Sequence, residues 1–269
     1  MDTANTTNTS KIKLQVLMPM GGLGSRFTKL GYKTPKPLIE VDGKPMFMRA
    51  LDSFSKITNI QHIFVIRKEH DLAYNLSKRI KDQLPNAKIS ILDHDTKGAV
   101  ETCLIAEGFI DDNLPITIAD CDIYFESTTY FKKINNLQNS DTIDAMLLTF
   151  PSSDARYSYV ELDGSDKAIR TAEKVVISNH AILGGYFFKS GKLFKETAKE
   201  FMESGLPVGL KEFYMSHIFN ILIKKGNTIS IADIDIMHIF GTPDELNAYL
   251  SRSSIKNNDK PTTKNNKKS

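Results

Sequence analysis

Little in this chain invites a cross-link, a membrane or a nucleic acid. Its 269 residues include two cysteines, Cys103 and Cys121. Their number builds no disulfide framework and their spacing no metal-ligand pair, so two reduced structural thiols are expected. No apolar run approaches the ~20 residues that cross a bilayer. Residues 1–10 are rich in Thr and Asn and lack the apolar stretch of a secretory leader, so a cytoplasmic protein without membrane insertion is expected. The six histidines form no H-x-x-x-H pair and no Ser-His-Asp order. Neither a histidine-built metal centre nor a covalent nucleophile is indicated.

A distributed basic surface is also missing. The formal charge is +3, yet six basic residues from Arg252 onward, against Asp259 alone, put +5 on the tail and leave −2 for the rest. A Lys/Asn-rich end with almost no apolar residues reads as a solvated, disordered extension, and no nucleic-acid partner is expected.

What remains is ordinary for a globular domain: 41% hydrophobic residues, enough for a core. Apolar runs at 14–18, 62–66, 89–92 and 115–119 predict strands. Amphipathic stretches at 71–84 and 99–109, with 46–54 after Pro45, predict helices. Such alternation implies a mostly parallel sheet with helices on both faces. Ligands of such sheets bind beyond the carboxyl ends of the strands. The second half reads differently. Short strands are predicted at 145–150, 157–162, 168–172 and 183–188, with a turn at Asp163-Gly164. Helices at 193–203 and 213–224, a strand at 228–234 and a helix at 243–250 follow. No linker separates the halves, so one domain with a smaller mixed β lobe is expected.

Two segments carry chemistry. Gly21-Gly22-Leu23-Gly24-Ser25-Arg26-Phe27 follows the first strand. Glycines let backbone N–H groups approach phosphate oxygens, and an arginine adds a planar cationic fork. The spacing is neither that of a P-loop nor the G-x-G-x-x-G fingerprint. In Thr34-Pro35-Lys36-Pro37-Leu38 two prolines stiffen the backbone around one lysine, as suits a cation that must meet a phosphate in a set position. Further on, Asp120-Cys121-Asp122 ends an apolar strand. Two carboxylates there can turn into the crevice and hold Mg²⁺, which takes one or two carboxylates plus phosphate oxygens. Alternatively, they cap a helix beginning near Ser127.

The glycine segment followed by Pro35-Lys36-Pro37-Leu38 resembles the signature of sugar-phosphate nucleotidyltransferases, the nucleoside-diphosphate-sugar pyrophosphorylases. Met18-Pro19-Met20-Gly21 and Gly31-Tyr32 are most similar to the bacterial capsule and lipopolysaccharide branch. The resemblance runs through most of residues 14–250. It implies a Rossmann-like α/β fold with an acceptor-binding lobe, a nucleotidyltransferase domain over residues 12–251, and disordered tails at 1–11 and 252–269. It implies nucleotide binding by Gly21, Gly22, Gly24, Ser25, Gly98 and Ala99. Catalytic roles are implied for Arg26 on the triphosphate, Lys36 at the reacting phosphates and Lys174 on the acceptor phosphate. Mg²⁺ would be held by Asp122 first and Asp120 second. Glu173, Gly184 and Glu212 would face the acceptor. By residue type alone, Gly98 is a helix-entry glycine and Glu173-Lys174 a surface ion pair. One departure stands out: many relatives carry an Asp two residues before the Gly of Gly241-Thr242-Pro243, and here that position is Ile239.

The expected reaction joins an NTP to a phosphorylated acceptor, a sugar phosphate first among the candidates, and releases pyrophosphate. The alternatives are a cytidylyltransferase for a non-sugar phosphate or phosphonate, a glycosyltransferase using Asp120-Cys121-Asp122 as its D-x-D, and a catalytically silent nucleotide-sugar-binding subunit. The base, the acceptor and any homo-oligomer are left open.

Overall fold

A computed structural model describes residues 13–137 and 143–258. The expected tail at residues 1–11 lies outside the described residues, as do residues 259–269.

Four strands form the parallel half of the sheet: β1 (Leu14–Met20), β4 (Ile60–Arg67), β5 (Lys88–Leu92) and β6 (Ile116–Ala119). They lie in the order β6-β1-β4-β5, every pair parallel. β1 is covered on both faces, which is why its sequence is nearly all apolar rather than alternating. Its one polar side chain, Gln15, is fully buried and satisfied. Its amide donates to the carbonyls of Asp111 and Leu114 and accepts from the Asp111 N–H. Between β1 and β4 the short strands β2 (Glu40–Val41) and β3 (Lys44–Pro45) close a hairpin. Its turn residues Asp42 and Gly43 both have positive φ, as a two-residue hairpin turn requires.

The second half continues the same nine-stranded sheet. β11 (His180–Phe188) is its pivot. One edge of β11 pairs antiparallel with β8 (Ala145–Pro151). The other edge is shared between β9 (Ser158–Leu162), at Ala181 and Ile182, and β6, from Gly185 to Phe188. The β8 pairing slips between Ile182 and Tyr186, where Gly184 and Gly185 lie. β10 (Ala168–Ala172) adds to β9, and β12 (Ile229–Asp233) runs parallel to β8. At the expected turn between β9 and β10, the Asp163 carboxylate accepts from the N–H groups of Ser165 and Lys167.

Helices cover both faces. α2 (Met46–Leu51), α4 (Leu76–Gln83) and α6 (Thr128–Asn135) bury Phe47, Ile80 and Tyr130 on one side. α5 (Ala99–Leu104), α7 (Gly191–Glu203) and α8 (Met215–Lys224) bury Cys103, Phe194 and Phe219 on the other. A smaller cluster joins Phe27 of α1 (Ser25–Lys29) to Phe240 and Leu246, so the glycine segment is anchored to the end of the domain.

Three expectations need correction, and one strand pair is new. The helix at 71–84 is two helices, α3 (Lys68–Tyr74) and α4, broken where Asn75 takes the left-handed conformation that asparagine tolerates. The stretch at 99–109 is α-helical only to Leu104 and ends in a 3₁₀ turn at Glu107–Phe109. An antiparallel pair, β7 (Ile123–Glu126) with β13 (Ile236–Ile239), was not anticipated. The last helix, α9 (Pro243–Asn258), runs past the boundary drawn at 252, because no helix breaker intervenes before Pro261. No helix among the described residues is long and apolar enough to cross a membrane.

Candidate active site

β1 and β6 are parallel neighbours, with Leu17 opposite Ile118. Their carboxyl ends therefore deliver the glycine segment and Asp120-Cys121-Asp122 to one crevice. The three glycines do different work there. A Cβ on Gly21 would stand 2.8 Å from Leu92 Cδ2 and 2.9 Å from Thr102 Cγ2, so that glycine lets β1 close against α5. A Cβ on Gly22 would meet nothing within 4 Å, so that backbone faces open space. Gly24, at φ +62°, turns the chain into α1 and would place a Cβ 3.1 Å from Lys36 Cβ.

The two prolines do stiffen Lys36: residues Lys36–Leu38 form a 3₁₀ turn with Pro37 and Leu38 buried. The ammonium Nζ lies 2.5 Å from Asp122 Oδ2, and the two side chains are 21% and 15% exposed. Burial pulls the Lys36 pKa down, but Asp122, with Cys121 and Asp120 beyond it, outweighs that and holds it above the ordinary lysine value. Burial, and then the charge of Asp122, push Asp120 well above the usual carboxylate range against the pull of Lys36. Asp120 fits there because residue 184 is glycine: a Cβ on Gly184 would fall 2.0 Å from Asp120 Oδ2. The Asp120 N–H donates to the Gly184 carbonyl at 2.9 Å. Gly184 thus shapes the carboxylate pair.

The capping alternative for these aspartates fails. Ser127 caps α6, its Oγ accepting from the Tyr130 N–H at 3.1 Å. The end of the domain closes over Asp122 instead, with the Phe240 N–H donating to the Asp122 carbonyl at 2.7 Å.

Two cavities open onto this crevice. One of about 240 Å³ is lined by Gly22, Gly24, Lys36, Asp120 and Asp122. The other, about 520 Å³, is lined by Gly21, Gly22, Arg67, Asp95, Gly98 and Glu212 among others. Gly22 and Asp120 border both. A third cavity, about 600 Å³, lies at the opposite end of the strands between Lys13, His62, Lys81 and Lys88, away from these carboxylates. No three His, Cys, Asp or Glu side chains among the described residues converge as a protein-only metal site. Asp120 and Asp122 do fit an ion that takes its other oxygens from phosphate and water. No hydrogen bond from the described residues reaches the Asp120 carboxylate, which is only partly buried and opens onto both cavities.

The other expected residues divide. Ser25, Gly98 and Ala99 line the larger cavity. Gly98 has a structural task as well: at φ +137°, its Cβ would collide with the Phe213 backbone at 2.6 Å. There the Phe213 N–H donates to the Lys97 carbonyl at 2.7 Å. Glu212 lines the same cavity as Ser25, Gly98 and Ala99. The Glu173 carboxylate is 9% exposed and accepts from Ser158 Oγ and, at 3.0 Å, from Ser216 Oγ. Lys174, at φ +56°, places Nζ 3.1 Å from the Tyr214 hydroxyl and over its ring. Arg26 is exposed on α1 and lines neither active-site cavity.

Sequence reasoning missed Arg67. It ends β4 and is 6% exposed, donating to the Gly21 carbonyl at 3.0 Å and to Asp95 Oδ1 at 2.9 Å. The signal was present: a charge directly following an apolar strand stands at the crevice end of a parallel sheet. Ser158 and Ser216 gave no such signal.

The model of the nucleotidyl transferase family matches residues 15–211. A nucleoside-diphosphate-sugar pyrophosphorylase from Vibrio cholerae RC9 superposes with a TM-score of 0.75 at 27% identity, over 88% of this chain and 99% of that one. The inositol-1-phosphate CTP transferase of T. maritima gives 0.71 at 14% identity, over 92% and 98%. Mannose-1-phosphate guanylyltransferase catalytic subunit beta of Danio rerio is 24% identical over 190 residues, 67% of this chain and 51% of that protein. The chain spans about half the length of the curated relatives it matches.

Proposed function

We propose that this chain, which belongs to the nucleotidyl transferase family, transfers a nucleoside monophosphate from an NTP to a phosphorylated small molecule, a sugar phosphate first among the candidates. Pyrophosphate is the second product, and the reaction takes place in the cytoplasm. The observation that carries this reading is the Lys36–Asp122 pair, 2.5 Å apart, beside the open backbone of Gly22.

An oxygen of the acceptor phosphate attacks the α-phosphorus of the NTP in line, and the bond to pyrophosphate breaks. Both reactants are anions. Two unit charges ~4 Å apart repel by ~1 kcal/mol in water and by ~4 kcal/mol at an effective dielectric near 20. The barrier is thus largely electrostatic, and an ionised phosphate needs no base to become a nucleophile. Lys36 brings a positive charge to the reacting phosphates from a rigid turn, which costs no reorganisation as charge develops. The backbone at Gly22 offers N–H groups to the triphosphate. Mg²⁺, held by Asp122 with Asp120, would neutralise phosphate charge and orient the leaving group. On the acceptor side, Lys174 meets the phosphate. Glu173, held by two serine hydroxyls, accepts from acceptor hydroxyls.

Release of pyrophosphate, screened with five NTPs against phosphorylated sugars and polyols, tests the reading. It also separates it from a glycosyltransferase, which would consume a nucleotide sugar instead. Ile239, in place of the relatives' acid, favours a silent nucleotide-sugar-binding subunit, and turnover by the purified chain alone rejects that. Lys36→Ala and Asp122→Ala should each lower turnover at least about a hundredfold in folded protein, on the scale of removing one preorganised charge. Near-normal rates in either variant would sink the assignment.

A further inference from the structure

The two active-site cavities meet at Gly22 and Asp120, so the phosphates belong there, and the larger cavity is left for the nucleoside. Apart from the Ser25 hydroxyl and the one uncommitted N–H of Arg67, its polar side chains accept hydrogen bonds rather than donate them. Thr102 Oγ1 donates its only proton to the Gly98 carbonyl at 3.1 Å. The Thr96 hydroxyl, 2.6 Å away, must then donate to Thr102. Both hydroxyl protons are consumed within the wall, and Thr96 offers lone pairs. Arg67, the one guanidinium lining this cavity, commits four of its five N–H groups to Gly21, Asp95 and both oxygens of Glu69. Asp95 spends only Oδ1 on Arg67, which leaves Oδ2 as an acceptor held in place by a buried arginine. Glu212 adds a second carboxylate to the same lining.

From this lining we infer that the chain selects an NTP whose base carries an exocyclic amino group, and that Asp95 reads that group. Cytosine, guanine and adenine each carry one exocyclic amino donor, whereas uracil and thymine carry only carbonyl oxygens as exocyclic polar groups. A carboxylate meeting a carbonyl oxygen leaves two acceptors facing each other, and a site built around a hydrogen bond rejects the partner that lacks it. One charge-assisted hydrogen bond discriminates about tenfold or more. The inference rests on the cavity's being the nucleoside site of a nucleotidyltransferase.

The test is calorimetric binding of CTP, GTP, ATP, UTP and dTTP to the full chain with Mg²⁺, repeated with Asp95→Asn. In that variant the amide oxygen still accepts from Arg67, while the amide nitrogen donates to a carbonyl. Asp95 is largely exposed, so the substitution leaves the fold intact. The best amino-bearing nucleotide should bind the wild type at least about tenfold tighter than UTP and dTTP, and Asp95→Asn should erase or invert that ratio. UTP or dTTP binding as well as the best of the other three overturns the inference, as does a ratio that Asp95→Asn leaves unchanged. A chain that prefers UTP yet releases pyrophosphate is still a nucleotidyltransferase. A chain that binds none of the five loses both readings.

Discussion

Replacing Gly184 by alanine should disable the site through Asp120 alone. The added Cβ would fall 2.0 Å from Asp120 Oδ2, 2.5 Å from Cγ and 2.9 Å from Cβ, and ordinary contact begins near 3.4 Å. Relief therefore requires the carboxylate to retreat by more than about 1 Å, and misplacement on that scale costs on the order of a hundredfold in rate, about 2.7 kcal/mol of barrier. The backbone tolerates the change, because Gly184 is not among the positive-φ glycines. All three nearest atoms belong to one side chain, so the stability cost should stay within about 1–3 kcal/mol. Pyrophosphate release gives the rate, and urea unfolding gives the stability. The decisive comparison is a double-mutant cycle with Asp120→Gly, which removes the atoms in conflict. Gly184→Ala should cost little further activity in that background and should cost less stability than it does alone. Wild-type turnover in Gly184→Ala, or a full additional loss in the Asp120→Gly background, would refute the account of why residue 184 is glycine.

Two further outcomes follow from the fold. Gly98→Ala must hold alanine at φ +137° and push it into the Phe213 backbone, so it should lose about 2–4 kcal/mol in urea unfolding, where a silent glycine would lose about 1 or less. Burial holds the His62 pKa down at about 4 against the usual 6.5, so the unfolded chain binds more protons between those values. Stability from neutral His62 is then complete above pH 6.5 and declines by about 3 kcal/mol as the pH falls to 4. Unfolding of His62→Gln beside the wild type at pH 7 and pH 4 should show that difference in acid slope, and identical slopes would refute it.

How far the sequence carried depended on what each element is made of. The parallel strands were legible because burial on both faces forces near-continuous apolar runs, as in residues 14–20 with Gln15 as their one polar member. Lys36 was legible because its neighbours are prolines, whose backbone effect needs no tertiary information. Tertiary contacts decided the rest. β7 and β13 are four residues each, with registers set only by their pairing across more than a hundred residues. Gly184 read as a wall of the acceptor pocket, since nothing in the sequence places it against Asp120. That Glu212 shares a cavity with Gly98 and Ala99 was not legible, because the hydrogen bonds that tie Phe213 to Lys97 and Val100 are non-local. Arg26 carries the right charge in the right motif, yet sits on the exposed side of a five-residue helix whose inward residue is Phe27.

Ile239 stands where the family resemblance implies an acid, and its surroundings explain why an apolar residue suits that place. Ile239 pairs with Ile123 across the β13–β7 ribbon and packs against the main core, where a carboxylate would need a partner. Yet the space beside it is not free of acid. A Cβ on Gly241 would lie 3.7 Å from Ile239 Cγ2, 3.0 Å from Asp122 Oδ2 and 3.3 Å from Glu245 Oε2. A second carboxylate therefore already borders Asp122, but it is committed elsewhere. Glu245 accepts from the Thr242 hydroxyl at 3.0 Å, donates its N–H back to that hydroxyl at the start of α9, and pairs with Arg156 at 2.7 Å. With Glu245 engaged in this way and residue 239 apolar, Asp120 is the carboxylate beside Asp122 that accepts no hydrogen bond from the described residues. The glycine at 184 that seats Asp120 and the isoleucine at 239 thus belong to one arrangement, in which the acidic pair comes from the end of a single strand.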